Sequence, residues 1–288
     1  MGIVPIHWPV ASDGVDHQLS EIHRLGFAGV QLGDSLPVGE ELADLLARHD
    51  LRVAEVYAAL PCTSEGPTAE AYDAARRRLD LLERSGGDVL VPAIDGSPER
   101  DGHSSRADRP GAPRLSETGW SRLGELVNRL ADETRDRGHR LAFHPHAGTY
   151  VETTAETERF LEVTASSEAG VCVDTGHVLV GGGDPRGVLE MVGDRLAHLH
   201  VKDVDAAVLD DLRSGEIATL TEAVTRRVFC PLGSGILDLA GVLSTLEALG
   251  YSGWLMVEQD TSWEPPVEAS AISRRVLAYA IRALDSRS

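Results

Sequence analysis

Short apolar runs alternate with segments of helical periodicity along almost the whole chain of 288 residues. The apolar runs have the length and composition of β-strands, and the segments between them place apolar residues three or four positions apart. Within 38–49, for example, Leu42, Leu45 and Leu46 share one face of a helix. Strands that alternate regularly with helices are typical of α/β folds with a parallel sheet, because each crossover helix covers the sheet.

The number of strand-and-helix units indicates which α/β fold the chain adopts. The predicted helices include residues 38–49, 68–86, 116–138, 238–249 and 267–284. The eight predicted strands cover residues 2–8, 29–33, 52–59, 88–93, 139–144, 170–175, 196–203 and 253–259. Eight units in this length favour a closed barrel over an open doubly wound sheet, and the usual nucleotide-binding glycine motifs are absent. We therefore predict that residues 1–288 form a single (β/α)8 TIM barrel.

Two predicted loops are long for such a barrel. Residues 94–115 are rich in Gly, Pro, Ser and Arg, which predicts a mobile loop. Residues 204–235 contain a predicted short helix at about 205–213. Both segments follow strands, so they should lie at the C-terminal mouth of the barrel, where the active sites of this fold are built. We predict that both act as lids.

The acidic composition excludes several classes of partner. Lys and Arg number 27 against 46 Asp and Glu, which gives a net charge of −19. Binding to nucleic acid or to an anionic membrane surface needs an excess of basic groups. There is no basic-then-apolar leader and no apolar run long enough to span a bilayer, so we expect a cytoplasmic protein. The composition fits a small-molecule ligand, and it allows a homo-oligomer.

Two rare residue types add information. Cys62, Cys172 and Cys230 are too few and too scattered for a disulfide framework or a cysteine zinc site, so we expect them to be reduced and buried. Lys202 is the one lysine among 27 basic residues. Lysine offers a compact ammonium where arginine offers a planar fork. Position 202 therefore either requires a point charge or has kept its lysine by chance.

Imidazoles and carboxylates collect where four consecutive predicted strands end. The stretches are His144-Pro145-His146, Asp174-Thr175-Gly176-His177, His198-Leu199-His200-Val201-Lys202-Asp203 and Glu258-Gln259-Asp260. The carboxyl ends of barrel strands converge on one mouth, so these groups should meet. Each alone has an ordinary explanation, such as a helix N-cap for Asp174. Together they would leave several polar groups buried and unpaired unless something joined them.

This donor set predicts a metal site. Nitrogen and oxygen donors without a thiolate suit a divalent cation, Mn²⁺ or Co²⁺ first, with Mg²⁺, Fe²⁺ and Zn²⁺ as alternatives. Along the seventh strand His198, His200 and Lys202 share one face, and His200 is the better ligand because it lies nearer the mouth. His198 should lie deeper in the barrel. After the fifth strand, His144 and His146 share a face if the strand continues through the proline.

Several stretches carry a resemblance to a known family. They are FHPHAGTYVET, VDTGH, HLHVKDV, FCPLGSGILDL and GYSGWLMVEQD. The chain resembles the xylose isomerase-like barrel superfamily of sugar isomerases and epimerases, and within it the inosose (2-keto-myo-inositol) dehydratases. The resemblance extends over about residues 2–283.

The resemblance implies a metal bound by one residue on each of the last four strands: His144, Asp174, His200 and Glu258. Many members have a glutamate where this chain has His144, and His146 follows two residues later, so either histidine is a candidate ligand. A second departure is Pro231-Leu232-Gly233-Ser234-Gly235, where the dehydratases more often have P-G-D-G.

The implied reaction is the dehydration of a keto-inositol, or of a similar polyhydroxylated ketone, through a metal-stabilised enolate. A base must remove the proton α to the ketone, and an acid must assist the departing hydroxide. The candidates are His177, Lys202, Glu152 and His146. Lys202 has an alternative role in an ion pair with Asp174 or Glu258, and Glu152 has one at a helix N-terminus.

Other activities use the same parts. A sugar or ketose isomerase or epimerase would form the same enolate and reprotonate it elsewhere, and this is the main alternative. A metal-dependent phosphodiesterase or abasic-site endonuclease is disfavoured by the charge of −19. A non-catalytic sugar-binding barrel is disfavoured by the intact set of candidate ligands.

Overall fold

The computed structural model describes residues 2–5, 14–33, 36–37, 39–167, 169–258 and 266–286. Its eight main strands are β1 (Ile3–Pro5), β2 (Gly29–Leu32), β3 (Arg52–Leu60), β4 (Val89–Ile94), β5 (Arg140–Phe143), β6 (Gly170–Asp174), β7 (Leu196–Val201) and β8 (Leu255–Val257). Each lies within or close to a predicted strand.

The eight strands form one parallel sheet in the order β1-β8-β7-β6-β5-β4-β3-β2. At the two ends of this order, the N–H of Ala28 donates to the carbonyl oxygen of Ile3 at 2.8 Å. The sheet therefore curls into a nearly closed barrel, and the predicted (β/α)8 fold is confirmed.

Helices follow every strand. They are α1 (Val15–Arg24), α2 (Glu40–Arg48), α3 (Ala71–Ser85), α4 (Pro98–Asp101), α5 (Glu117–Asp136), α6 (Thr154–Val163), α7 (Thr175–Val180), α8 (Pro185–Val192), α9 (Ala206–Ser214), α10 (Leu220–Thr225), α11 (Leu239–Ala248) and α12 (Pro266–Asp285). Four of them, α4, α7, α9 and α10, lie on the loops after strands. The others surround the barrel, and their buried faces include the predicted stripe of Leu42, Leu45 and Leu46 on α2.

The two long loops are more structured than their composition suggested. The first contains α4, whose Arg100 is fully buried and binds Glu156 through two contacts of 2.9 Å. The second contains the helix predicted at about 205–213, which is α9, and also α10. It ends in a strand, Phe229–Cys230, that pairs antiparallel with Asp203–Val204. The sequence did not predict α10, because a helix of 6 residues is too short to show helical periodicity.

Three local expectations need correction or restriction. β5 ends at Phe143, so it does not continue through Pro145, although the N–H of His144 still donates to Pro92 at 2.8 Å. Cys172 is buried, but the other two cysteines are only half-buried; all three are free thiols. Parts of the first and last predicted strands, residues 6–8 and 259, lie outside the described residues.

Among the described helices, none combines the length and apolar character that crossing a membrane requires.

Candidate metal centre and active site

The four predicted ligands lie together at the carboxyl ends of β5 to β8. One donor atom from each of His144, Asp174, His200 and Glu258 lies within 4.8 Å of the others. All four residues are buried. His200 Nδ1 is 2.7 Å from Glu258 Oε2 and 3.7 Å from Asp174 Oδ2. His144 Nε2 is 4.0 Å from the same Asp174 oxygen.

The two carboxylate oxygens of Asp174 have different environments. Oδ1 accepts a hydrogen bond of 2.9 Å from the N–H of His177 and so caps α7, as the sequence allowed. Oδ2 and His200 Nδ1 are buried and make no hydrogen bond of good geometry among the described residues, although Lys202 Nζ lies 3.4 Å from Oδ2 and Glu258 Oε2 lies 2.7 Å from Nδ1. Buried polar atoms without partners are costly. Because these two atoms face each other with other N and O donors around them, the site fits a divalent cation.

The electrostatics of the four-residue cluster also favours a bound cation. Burial disfavours a charge on His200, but the neighbouring Cys172, Glu55 and Glu258 more than compensate, so the pKa of His200 lies well above its ordinary value. Burial also raises the pKa of Asp174, against the attraction of Lys202. The cluster of buried acids thus favours positive charge at its centre.

Glu55 is a site residue that the sequence reasoning missed. This fully buried carboxylate on β3 contacts both histidines of β7, with Oε2 2.9 Å from His200 Nε2 and 2.6 Å from His198 Nε2. Burial raises its pKa, but the charge of His200 and the two hydrogen bonds outweigh burial, and the net pKa lies far below the usual range. Its only signal in the sequence is an acid within an otherwise apolar strand. His198 lies inside the barrel, as expected.

His144 and His146 occupy different places. His144 belongs to the group with Asp174, His200 and Glu258, whereas His146 groups with His144 and His177. The His146 ring lies 3.6 Å from the His177 ring, centroid to centroid, and its Nδ1 is 2.7 Å from the carbonyl oxygen of Ala147. The geometry therefore favours His144 as the ligand after β5.

Lys202 lies between the candidate ligands and His177. Its buried Nζ is 2.9 Å from Glu258 Oε1, 3.4 Å from Asp174 Oδ2 and 3.0 Å from His177 Nε2. Burial lowers the pKa of His177 well below its ordinary value, and the charges of His146 and Lys202 lower it further. A neutral imidazole and an ammonium are thus in contact beside the cluster.

The turn after β6 is built around the stem of Lys202. Thr175 Oγ1 donates to the Lys202 carbonyl at 2.7 Å and accepts from its N–H at 2.8 Å. A Cβ on Gly176 would lie 2.6 Å from Lys202 Cγ. Only glycine leaves room for the lysine there, which explains the glycine of the D-T-G-H sequence.

Asp203 points away from Lys202, as strand alternation predicts, and has a structural role. Its Oδ2 accepts from the N–H groups of Gly233 and Gly235 at 2.8 and 3.0 Å, and its Oδ1 accepts from Leu237 at 2.9 Å. These bonds fix the P-L-G-S-G segment. The adjacent Phe229 ring lies 4.5 Å from Lys202 Nζ and so covers one side of the site.

Glu152 is held by backbone groups rather than by the metal cluster. Its two oxygens accept hydrogen bonds of 2.7 Å each from the N–H groups of Ser105 and Gly148. It does not cap α6; that role belongs to Thr153 in a capping box with Glu156. These contacts tie the first long loop to the loop after β5, which favours a structural role, and the catalytic role of Glu152 stays a prediction.

The ionisation of Glu152 should make the stability of the protein depend on pH. Burial raises the pKa of Glu152 to about 7, although Arg100 and the two N–H groups oppose the shift. A folded-state pKa above the unfolded one means that the protonated acid favours folding, so this contribution is complete below about pH 4.5 and is lost as pH rises through 7. We expect Glu152→Gln to remove a change of roughly 3 kcal/mol in unfolding free energy over that range.

Denaturant unfolding at several pH values measures this effect, with Glu158→Gln, an exposed acid on α6, as the matched control. Turnover of Glu152→Gln should stay near that of the parent. Loss of turnover with an unchanged pH profile would instead identify Glu152 as a catalytic acid or base.

Comparison with known proteins decides the family. A model of the family described as xylose isomerase-like TIM barrel matches residues 19–280. The chain belongs to this family. Solved structures share the fold: a zinc-bound IolI protein superposes with a TM-score of 0.72 at 14% identity, covering 98% of both chains. An L-ribulose 3-epimerase superposes with a TM-score of 0.71 at 18% identity, covering 100% of this chain and 98% of its own.

Relatives found by sequence similarity indicate the activity more narrowly than the shared fold does. Inosose dehydratase of Geobacillus thermodenitrificans strain NG80-2 is 30% identical over 287 residues, covering 96% of this chain and 95% of its own length. The present chain is therefore an enzyme of the inosose dehydratase kind. Its activity is of the dehydratase type or of the isomerase and epimerase type.

Proposed function

We propose that the chain is a metal-dependent hydro-lyase that dehydrates a keto-inositol (an inosose) or a similar polyhydroxylated ketone. The observation that carries this proposal is the convergence of four buried N and O donors beside a Lys202–His177 pair whose polar atoms are 3.0 Å apart. The similarity to inosose dehydratase supplies the substrate class.

We propose His144, Asp174, His200 and Glu258 as the metal ligands. When bound, a divalent metal, Mn²⁺ or Co²⁺ by preference, acts as a Lewis acid toward the ketone oxygen and a neighbouring hydroxyl of the substrate. This assignment is supported by Asp174 Oδ2 and His200 Nδ1, which are buried and make no hydrogen bond of good geometry among the described residues.

His177 is proposed as the base. Its neutral Nε2 takes the proton α to the ketone, and the C–H electron pair becomes the C=C bond of an enolate. The oxygen of the enolate then re-forms the C=O bond, the electron pair of the enolate C=C bond becomes a C=C bond between the α- and β-carbons, and the C–O bond of the β-carbon breaks. The departing hydroxide takes back a proton from the His177 imidazolium and leaves as water, so protons and electrons balance. His146, whose ring lies against that of His177 with the centroids 3.6 Å apart, is a second candidate for proton transfer.

Lys202 is proposed to hold the developing enolate oxygen with its ammonium group. It is buried within hydrogen-bond reach of Glu258 and His177. This catalytic role is compatible with the ion pair that the sequence also suggested, because the contact with Glu258 fixes the ammonium in place.

Lys202→Arg should be severely impaired. The guanidinium is larger and spreads its donors over a planar fork, so it fits neither the packed position over Gly176 nor a single oxygen. We expect turnover to fall by about 100-fold, since small misplacements in an active site have effects of this size. Steady-state kinetics on the metal-loaded protein measures it. A near-normal rate would reduce Lys202 to a packing role.

An isomerase or epimerase acting on a ketose is the second candidate. The adjacent imidazoles of His146 and His177 favour it, because a second titratable group beside the base could return the proton to another carbon or face. It differs from dehydration only in the fate of the enolate.

Product analysis separates the two. The metal-loaded protein is incubated in deuterated water with scyllo-inosose and, separately, with several ketohexoses, and the products are followed by NMR. We expect loss of one hydroxyl from the inosose as water, with deuterium at the former β-carbon, which takes up a solvent proton when the enol product becomes a ketone. Interconversion of ketoses without loss of water, and an unchanged inosose, would establish the second candidate instead.

A further inference from the structure

Glu55 is a fully buried carboxylate beside the candidate metal centre, and it is not one of the proposed ligands. Its Oε2 receives hydrogen bonds from His198 and His200, and its Oε1 receives one of 2.7 Å from Gln31 Nε2 on β2. The carboxylate is therefore held from two strands, β2 and β7, while belonging to a third, β3.

These contacts determine which nitrogen of His200 carries a proton. An ionised carboxylate can only accept hydrogen bonds, so the Nε2 of His200, 2.9 Å from Glu55 Oε2, must be the donor. In the neutral ring the lone pair is then on Nδ1. That nitrogen faces Asp174 Oδ2 at 3.7 Å and Glu258 Oε2 at 2.7 Å.

We propose that Glu55 is a positioning residue for the metal: it fixes the tautomer and the ring orientation of His200 so that Nδ1 is presented to the ion. This inference rests on the metal site of the proposed function. A carboxylate that accepts the second N–H of a histidine ligand also makes that ligand more basic, and loss of such a partner typically weakens metal binding about 10–100-fold.

The same three residues, Glu55, His198 and His200, lie close enough to suggest a second metal group. The positioning role explains their geometry better. Both oxygens of Glu55 already have hydrogen-bond donors, whereas Asp174 Oδ2 and His200 Nδ1 make no hydrogen bond of good geometry among the described residues.

Mn²⁺ titration calorimetry on metal-free protein tests the proposal with two variants. Glu55→Gln keeps the volume but removes the charge, and we expect its Kd for Mn²⁺ to rise by about 10–100-fold. His198→Gln is the matched control, because it removes the other imidazole on Glu55 and leaves the bond to His200 intact. Its Kd should stay close to that of the parent.

The outcomes distinguish the inference from the function on which it rests. If the parent binds Mn²⁺ and Glu55→Gln binds it equally well, the positioning role is wrong and the metal site stands. If both variants weaken binding equally, the effect is general disruption of the barrel interior, and the proposal is also wrong. If the parent binds no divalent metal, the metal-dependent function and this inference fall together.

Histidine tautomers in the unmutated protein provide a test that does not depend on a variant folding. Long-range ¹H–¹⁵N NMR of the unmutated, Zn²⁺-loaded protein reports which ring nitrogen of His200 bears hydrogen. We expect hydrogen on Nε2 and the metal on Nδ1. Hydrogen on Nδ1 would overturn the proposal.

Discussion

Asp174→Asn is expected to abolish divalent metal binding and turnover together while the barrel stays folded. Asparagine keeps an oxygen that can accept from the His177 N–H, so the cap on α7 survives. Its amide nitrogen replaces Oδ2, the buried oxygen that faces His200 and His144, and an amide N–H₂ cannot bind a cation. Loss of a direct ligand should weaken metal binding by more than the roughly 100-fold expected for an outer partner.

Metal analysis after dialysis, together with circular dichroism, measures both parts of this prediction. Asp184→Asn is the matched control, because Asp184 caps the neighbouring helix α8 with the same kind of bonds and is exposed to solvent. It should retain full metal content and activity. If Asp174→Asn remained fully loaded, the assignment of this ligand would be wrong.

His177→Gln should lose turnover far more than it loses metal affinity. His177 Nε2 contacts Lys202 at 3.0 Å and lies 4.0 Å from Asp174 Oδ2, close to the proposed centre without belonging to its four-ligand group. A general base typically contributes a factor of about 10²–10⁴, and we expect a loss of that size. Exchange of the substrate α-proton into deuterated water should disappear in the same variant.

The control is His139→Gln, a histidine that precedes β5 at the opposite end of the barrel and contacts the carbonyl oxygen of Gly87. It should behave like the parent. If α-proton exchange persisted in His177→Gln while product formation stopped, His177 would act later, as the acid for the departing hydroxide. If both continued, His146 would become the candidate base.

The fold was predictable because the signals that define it are local and repeated. Every main strand lies close to a predicted one, since each crossover in a barrel needs a short apolar run and an amphipathic helix, as on α2 with Leu42, Leu45 and Leu46. The meeting of Asp174, His200 and Glu258 followed from one rule, that the carboxyl ends of barrel strands converge.

What could not be predicted depends on contacts across the barrel. Glu55 is 145 residues from His200 in sequence, and no periodicity links them. Glu152 looked like a catalytic candidate or a cap because its neighbours are threonines, but its partners lie on backbone 47 residues earlier and 4 residues earlier. The choice between His144 and His146 depends on where β5 ends, which is decided at Pro145 and not by alternation.

The central claim is that one divalent metal at this centre is required for dehydration. The most direct test is to remove metal with a chelator, return Mn²⁺ in increments, and measure the dehydration rate of scyllo-inosose against bound metal. We predict no activity in the metal-free protein and a rate that rises in proportion to occupancy until one ion is bound per chain. A full rate in metal-free protein, with the fold unchanged, would contradict this account.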